Sequence, residues 1–132
     1  MKNKYFIPYL IFLGLFSIMI LASVYNHIFN YEVVVGEYAK LGYPEHLIAP
    51  MVIAQLFGLF VIIYNKGELL LEWAYAGFFI NLIFAIIAHY VSKHGNGAAS
   101  VICLTLLWST YSLNIKAKQA KKSESKKAIQ IV

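Results

Sequence analysis

The chain has 132 residues, enough for one soluble domain, but 61% of them are apolar and only 13% are charged. Ordinary globular chains carry about 45–50% and about 25%, so an ordinary soluble domain is excluded. The formal charge of +5 comes from 11 lysines against 6 glutamates, with no arginine or aspartate. Six of those lysines and one glutamate stand in residues 116–132, and the remainder of the chain sums to zero. The basicity therefore belongs to one tail, and a nucleic-acid partner is not expected.

Four long apolar runs follow in chain order, at 5–29, 47–64, 69–91 and 98–115. At 1.5 Å per residue the two shorter runs reach about 27 Å and the two longer ones about 35–37 Å, against a hydrocarbon core of about 30 Å. None alternates with period two, which excludes an outer-membrane barrel. Met1 to Lys4 ahead of the first run resemble the start of a secretory signal. However, the apolar stretch continues past Ala22 and Ser23, and the positions two residues before these are Ile20 and Leu21. It is too long for a signal core of about 7–15 residues and lacks a small-x-small cleavage site, so it is read as a retained span.

Between the first two runs, Val34, Tyr38 and Leu41 recur at helical spacing while Glu32, Gly36 and Lys40 take another face. A short amphipathic helix lying in the interface is expected, although Val33, Val34 and Val35 would also suit an extended start. Gly42, Tyr43 and Pro44 then break the chain, and Pro50 requires the second span to begin close by or to kink. The predicted fold is all-α: an antiparallel bundle of four transmembrane helices with a short outward amphipathic helix between spans one and two. It divides into a transmembrane domain, 1–115, and a basic cytoplasmic tail, 116–132.

With four crossings both termini share one side, and nine of the lysines fall there, leaving Lys40 and Lys93 on the other. The positive-inside rule puts both termini in the cytoplasm, in a multi-pass protein of the cell inner membrane. Tyr5, Tyr9, Tyr64, Tyr75 and Tyr111 near one set of ends, and Tyr25, Tyr31, Tyr38, Tyr43 and Tyr90 near the other, are expected as interfacial belts.

Small and polar residues gather on one side of each span, as they should where helices meet without hydrophobic drive. The expected seams are Gly14, Ser17, Leu21 and Tyr25 on span one, and Met51, Ala54, Gln55, Gly58 and Ile62 on span two. On span three they are Ala74, Gly77, Asn81, Ala85 and Ala88, with His89 beside them, and on span four Ala99, Cys103, Leu107, Thr110 and Asn114.

The lone Cys103 excludes an internal disulfide and a CxxC relay and is read as a packing residue. His27, His46, His89 and His94 fall on the outward side with Glu32, Glu37 and Glu45, but none of the spacings is a recognised ligand pair, and no metal is expected. Gln55 and Asn81 lie near mid-span on the expected packing faces. They either bond to each other across spans two and three or hold the polar end of an apolar ligand, a quinone or a lipid, with His89 about 12 Å farther along the helix. Glu72, one turn inside span three, either snorkels, pairs with a tail lysine or binds a ligand head group. No catalytic constellation is visible. The tail lysines serve as a topology anchor or touch anionic lipid.

Leu41-Gly42-Tyr43-Pro44, the run Glu72-Trp73-Ala74-Tyr75-Ala76-Gly77-Phe78, and His89 followed by Gly95-Asn96-Gly97 resemble the DoxX-like family of small membrane proteins, from about span one to span four. The resemblance implies four transmembrane helices and a link to quinone-dependent membrane redox chemistry. Asn96 departs from the acidic residue often found there in relatives. The expected function is a non-catalytic accessory or assembly subunit in the lipid bilayer, with a membrane-protein partner or a second copy. The alternatives are a quinone-binding subunit of a redox system, with quinone as its one cofactor, and a small-solute transporter, for which no broken-helix pair is visible.

Overall fold

The computed structural model describes residues 3–93 and 97–132, without the side chain of Ser92. Lys2, His94, Gly95 and Asn96, to which the sequence assigned roles, lie outside the described residues. The elements are α1 (Phe6–Phe29), α2 (Tyr31–Lys40), α3 (Ile48–Tyr64), α4 (Glu68–Ser92) and α5 (Ala98–Ile131), with a 3-10 turn at Glu45–Leu47 leading into α3. Among the described residues there is no strand. The four longer segments, α1, α3 with its leading turn, α4 and α5, are each long and apolar enough to cross a membrane. Helices satisfy every mid-segment amide internally, which is what a lipid environment demands.

The helix ends follow local chemistry. α2 closes where the Tyr43 amide donates to the Tyr38 carbonyl at 2.8 Å and that of Gly42 donates to Ala39 at 3.1 Å. Gly42 stands at φ 80°, a left-handed position that glycine takes without a Cβ penalty. Pro44, extended, then starts the next segment, and Pro50 falls in the first turn of α3, where its missing donor costs little. α3 stops on Asn65, left-handed at φ 55°. α5 runs on for 34 residues, about 51 Å at the helical rise, so the basic segment after 115 continues the fourth span as helix.

The most extensive helix contact is that of α1 with α5, followed by α5 with α4, α4 with α3 and α3 with α1. α1 and α4 are not neighbours in that ring, yet Phe16 and Phe78 meet edge to face across its middle, with centroids 5.2 Å apart at 87°. Around them the core gathers Leu13, Ile20, Leu59, Ile62, Leu82 and Leu107.

These large residues correct two of the expected seams. On α1 the buried face is Tyr9, Leu13, Phe16, Ile20 and Val24, while Leu21 and Tyr25 are half exposed or more and Gly14 has no neighbour within 4 Å of where a Cβ would stand. On α4 the buried residues are Leu71, Tyr75, Phe78, Leu82 and Ala88; of the expected seam Ala88 is thus buried and Ala74 packs against the core, while Gly77 is exposed and Asn81 and Ala85 border a cavity. Lipid tails are as apolar as leucine, so a glycine facing them costs nothing and a small residue does not by itself mark a contact. The seams of α3 and α5 come closer to expectation: Gln55, Gly58 and Ile62, and Cys103, Leu107, Thr110 and Asn114, are buried, whereas Ala54 and Ala99 are exposed. Tyr9 and Tyr75 are core residues, so the expected tyrosine belts lose two members.

At one end, Asn3 donates to the Ala117 carbonyl at 2.7 Å, and Asn65 and Asn114 exchange a reciprocal pair of amide hydrogen bonds, each 3.0 Å. This pair ties the α3–α4 turn to α5. A double-mutant cycle with Asn65→Ala and Asn114→Ala is expected to give a coupling of about 0.6–1.7 kcal/mol in mixed-micelle unfolding, the range of interhelical hydrogen bonds in membranes. The strain of alanine at left-handed position 65 appears in both arms of the cycle and cancels; additive losses would show that the two amides do not act together.

Candidate functional site

Away from that end, a cavity of about 550 Å³ opens between the helices. Gln55 from α3, Asn81 and His89 from α4, His27 from α1, Tyr38 from α2 and Cys103 from α5 line it, within walls of Ile20, Val34, Leu82 and Ala88. Three sequence candidates, Gln55, Asn81 and His89, thus share one space, and Glu72 does not. Asn81, Ala85, Ala88 and His89 recur along one face of α4 at three- and four-residue steps, so the small-residue stripe borders the cavity rather than a packed helix. A second hollow of about 310 Å³ between α3 and α4 continues the stripe through Ala74 and Gly77 and shares Gln55 and Asn81 with the first.

Gln55 is 8% exposed, and its Oε1 is buried with no hydrogen-bond partner. It forms no bond with Asn81 among the described residues, so the two amides do not close the interhelical link that the sequence allowed. An unpartnered carbonyl in an apolar wall costs about 1–3 kcal/mol, and such groups persist where something else answers them.

His27 is held at both ring nitrogens. Its Nδ1 lies 2.6 Å from the Ser23 carbonyl and its Nε2 3.2 Å from the Tyr38 hydroxyl. A carbonyl only accepts, so Nδ1 carries the proton and, in the neutral ring, Nε2 accepts from Tyr38. Burial, and then the neighbouring Tyr43, push the Tyr38 hydroxyl above its ordinary pKa, which keeps it a donor. The Tyr38 ring also stands at 88° to the imidazole, 5.9 Å away, pinning α2 over the mouth of the cavity. Helical spacing puts Tyr38 on the same face of α2 as Val34 but does not join it to His27, because the partner lies across a turn. His89 sits under the start of α5, where a Cβ at Gly97 would stand 3.4 Å from that of His89.

Glu72 is near the other end, where the Tyr111 hydroxyl donates to it at 3.0 Å; a tyrosine fills the role expected of a tail lysine. The hydroxyls of Ser17, Thr105 and Thr110 each donate to a carbonyl one turn back, which leaves none of them activated as a nucleophile. Among the described residues no three His, Cys, Asp or Glu side chains are placed to hold a metal ion. The cavity therefore presents a few hydrogen-bonding groups, among them the Gln55 and Asn81 amides and the Glu37 carboxylate, in a mostly apolar lining, an arrangement suited to a molecule with an apolar body and one polar end.

A family model described as the DoxX-like family matches residues 11–110, from within α1 to Thr110 in α5. No curated protein and no solved structure matches the chain.

Proposed function

Because this chain belongs to the DoxX-like family, we propose that it is a non-catalytic accessory subunit of a membrane redox system that holds an isoprenoid quinone or quinol in the Gln55 cavity. The observation that carries this reading is that Gln55, whose Oε1 is buried without a hydrogen-bond partner, lines a cavity of about 550 Å³, a size within the range of small-molecule sites. A carboxamide suits both redox forms of such a ligand: its oxygen accepts from a quinol hydroxyl, and turned over it donates to a quinone carbonyl. Asn81 and His89 line the same space and supply further polar contacts, while Leu82 and Ala88 enclose the apolar part. A quinone would supply the electron chemistry, and this chain's residues bind and orient it.

The proposed setting is the cell inner membrane, with four spans in an antiparallel bundle and both termini in the cytoplasm. Supporting it are the lysine asymmetry, the apolar side chains that face outward, such as Ile18, Phe60 and Trp73, and the contacts that bring Asn3 beside Ala117 and Asn65 beside Asn114.

Protein purified in mild detergent is expected to retain an isoprenoid quinone near one per chain in organic extracts, and to bind a short-chain quinol added back after delipidation. Quinone at no more than its share of bulk lipid, together with no saturable binding of the short-chain quinol, would overturn the reading.

A further inference from the structure

A second site of different character lies at the Asn65–Asn114 end, where α4 and α5 flank a cleft of about 320 Å³. Glu68 and Glu72, one turn apart on α4, line one side, and Lys118 and Lys122, one turn apart on α5, line the other. Among the described residues no ion pair joins these carboxylates to these ammonium groups. Beneath them Tyr75 is 5% exposed, and its buried hydroxyl lies against the Asn114 amide, which is engaged with Asn65, without forming a well-aligned hydrogen bond.

A simple anion would meet the two glutamates and a simple cation the two lysines. A ligand that satisfies all four carries both signs a few ångströms apart. Glu68 opens a helix long and apolar enough to span a membrane, which sets the cleft at headgroup depth. We propose that this cleft binds a zwitterion made of a phosphodiester or phosphate ester and a primary ammonium, the phosphoethanolamine group. Its ammonium donates to Glu68 and Glu72, and its phosphate accepts from Lys118, Lys122 and the Tyr75 hydroxyl. A primary ammonium is required because a quaternary one has no N–H to donate. The site is separate from the Gln55 cavity and does not depend on what that cavity holds.

The test is native mass spectrometry of the full chain in detergent, titrated with phosphatidylethanolamine, phosphatidylcholine or phosphatidylglycerol of identical acyl chains. Phosphatidylethanolamine is expected to bind about tenfold more tightly than either other lipid, the effect of a charge-assisted hydrogen bond or two. Glu68→Gln with Glu72→Gln, and separately Lys118→Gln with Lys122→Gln, are each expected to remove that preference, while Lys118→Arg with Lys122→Arg retains it. Competition by soluble O-phosphoethanolamine assigns the site to a free zwitterion; tight lipid binding that resists it assigns the site to the lipid. Equal binding of the three lipids, or unchanged preference in both glutamine pairs with native helicity, overturns the proposal.

Discussion

Gly58→Leu is expected to cost about 3 kcal/mol or more of stability in mixed-micelle unfolding and to lower the yield of monodisperse protein. A Cβ at position 58 would stand 2.8 Å from Cε2 of Phe78 and 3.3 Å from its Cζ, closer than carbon atoms approach. Phe78 is 4% exposed and its partner Phe16 is fully buried against it, so the ring can yield only toward the hollow of about 310 Å³ that it and Gly58 border. Either the ring turns into that hollow or α3 and α4 separate, and both loosen the edge-to-face contact between Phe78 and Phe16. Overpacking of this kind costs about 1–3 kcal/mol and occasionally more. In water a larger side chain would recover part of that through burial, but lipid is already apolar and returns nothing. Gly58→Ala is expected to lose less, about 1–2 kcal/mol, since alanine regains up to about 1 kcal/mol of helix propensity. Gly14→Ala is the control: with nothing within 4 Å of its Cβ, only the propensity gain remains. Gly58→Leu unfolding at the wild-type midpoint would show that α3 and α4 do not meet in this way.

The difference between Gly58 and Gly14 marks how far the sequence could be read. The existence and extent of the long helices were legible because a backbone in hydrocarbon has no alternative to internal hydrogen bonding, and α2 was legible from the spacing of Val34 and Tyr38, of which Val34 is 1% exposed. Which face turns inward was legible on α3 and α5, whose expected seams are largely buried, but not on α1 and only in part on α4. Both glycines stand in small-residue stripes, yet one lies against Phe78 and the other faces outward, because in lipid the composition of a face does not fix its environment. The α5 extension, rich in Lys and Ala, is made mostly of good helix formers, and its continuation past 115 could have been inferred from them. Gln55, Asn81 and His89 were each visible as costly polar groups in apolar runs; that they share one cavity, while Glu72 turns to Tyr111, depends on the relative rotation of α3, α4 and α5. Asn114 stood on the expected seam of span four, but its link to Asn65 had no signal, since a loop asparagine reads as a turn residue until its partner is known.

Gln55→Leu is expected to move stability and ligand binding in opposite directions. Leucine removes the unpartnered Oε1 at similar volume, and relieving an unsatisfied buried carbonyl is worth about 1–3 kcal/mol in water. In a bilayer the unfolded reference still holds its helices and finds partners for polar side chains, so the gain belongs at the low end, about 1 kcal/mol. The same change deletes the hydrogen bond that the proposed ligand makes, lowering its affinity about tenfold. Binding adds stability in proportion to the logarithm of ligand excess, about 2.7 kcal/mol at one hundred times Kd. At that concentration a variant with tenfold weaker binding gains only about 1.4 kcal/mol. The two unfolding curves should therefore converge and then cross as a short-chain quinol is added: the variant is the more stable without ligand, and the wild type overtakes it once ligand exceeds roughly ten times the wild-type Kd. A variant that is less stable without ligand would mean that Gln55 is paired within the protein in the membrane. A constant gap at every quinol concentration would mean that its amide does not touch the ligand, and either result removes the observation on which the quinone reading stands.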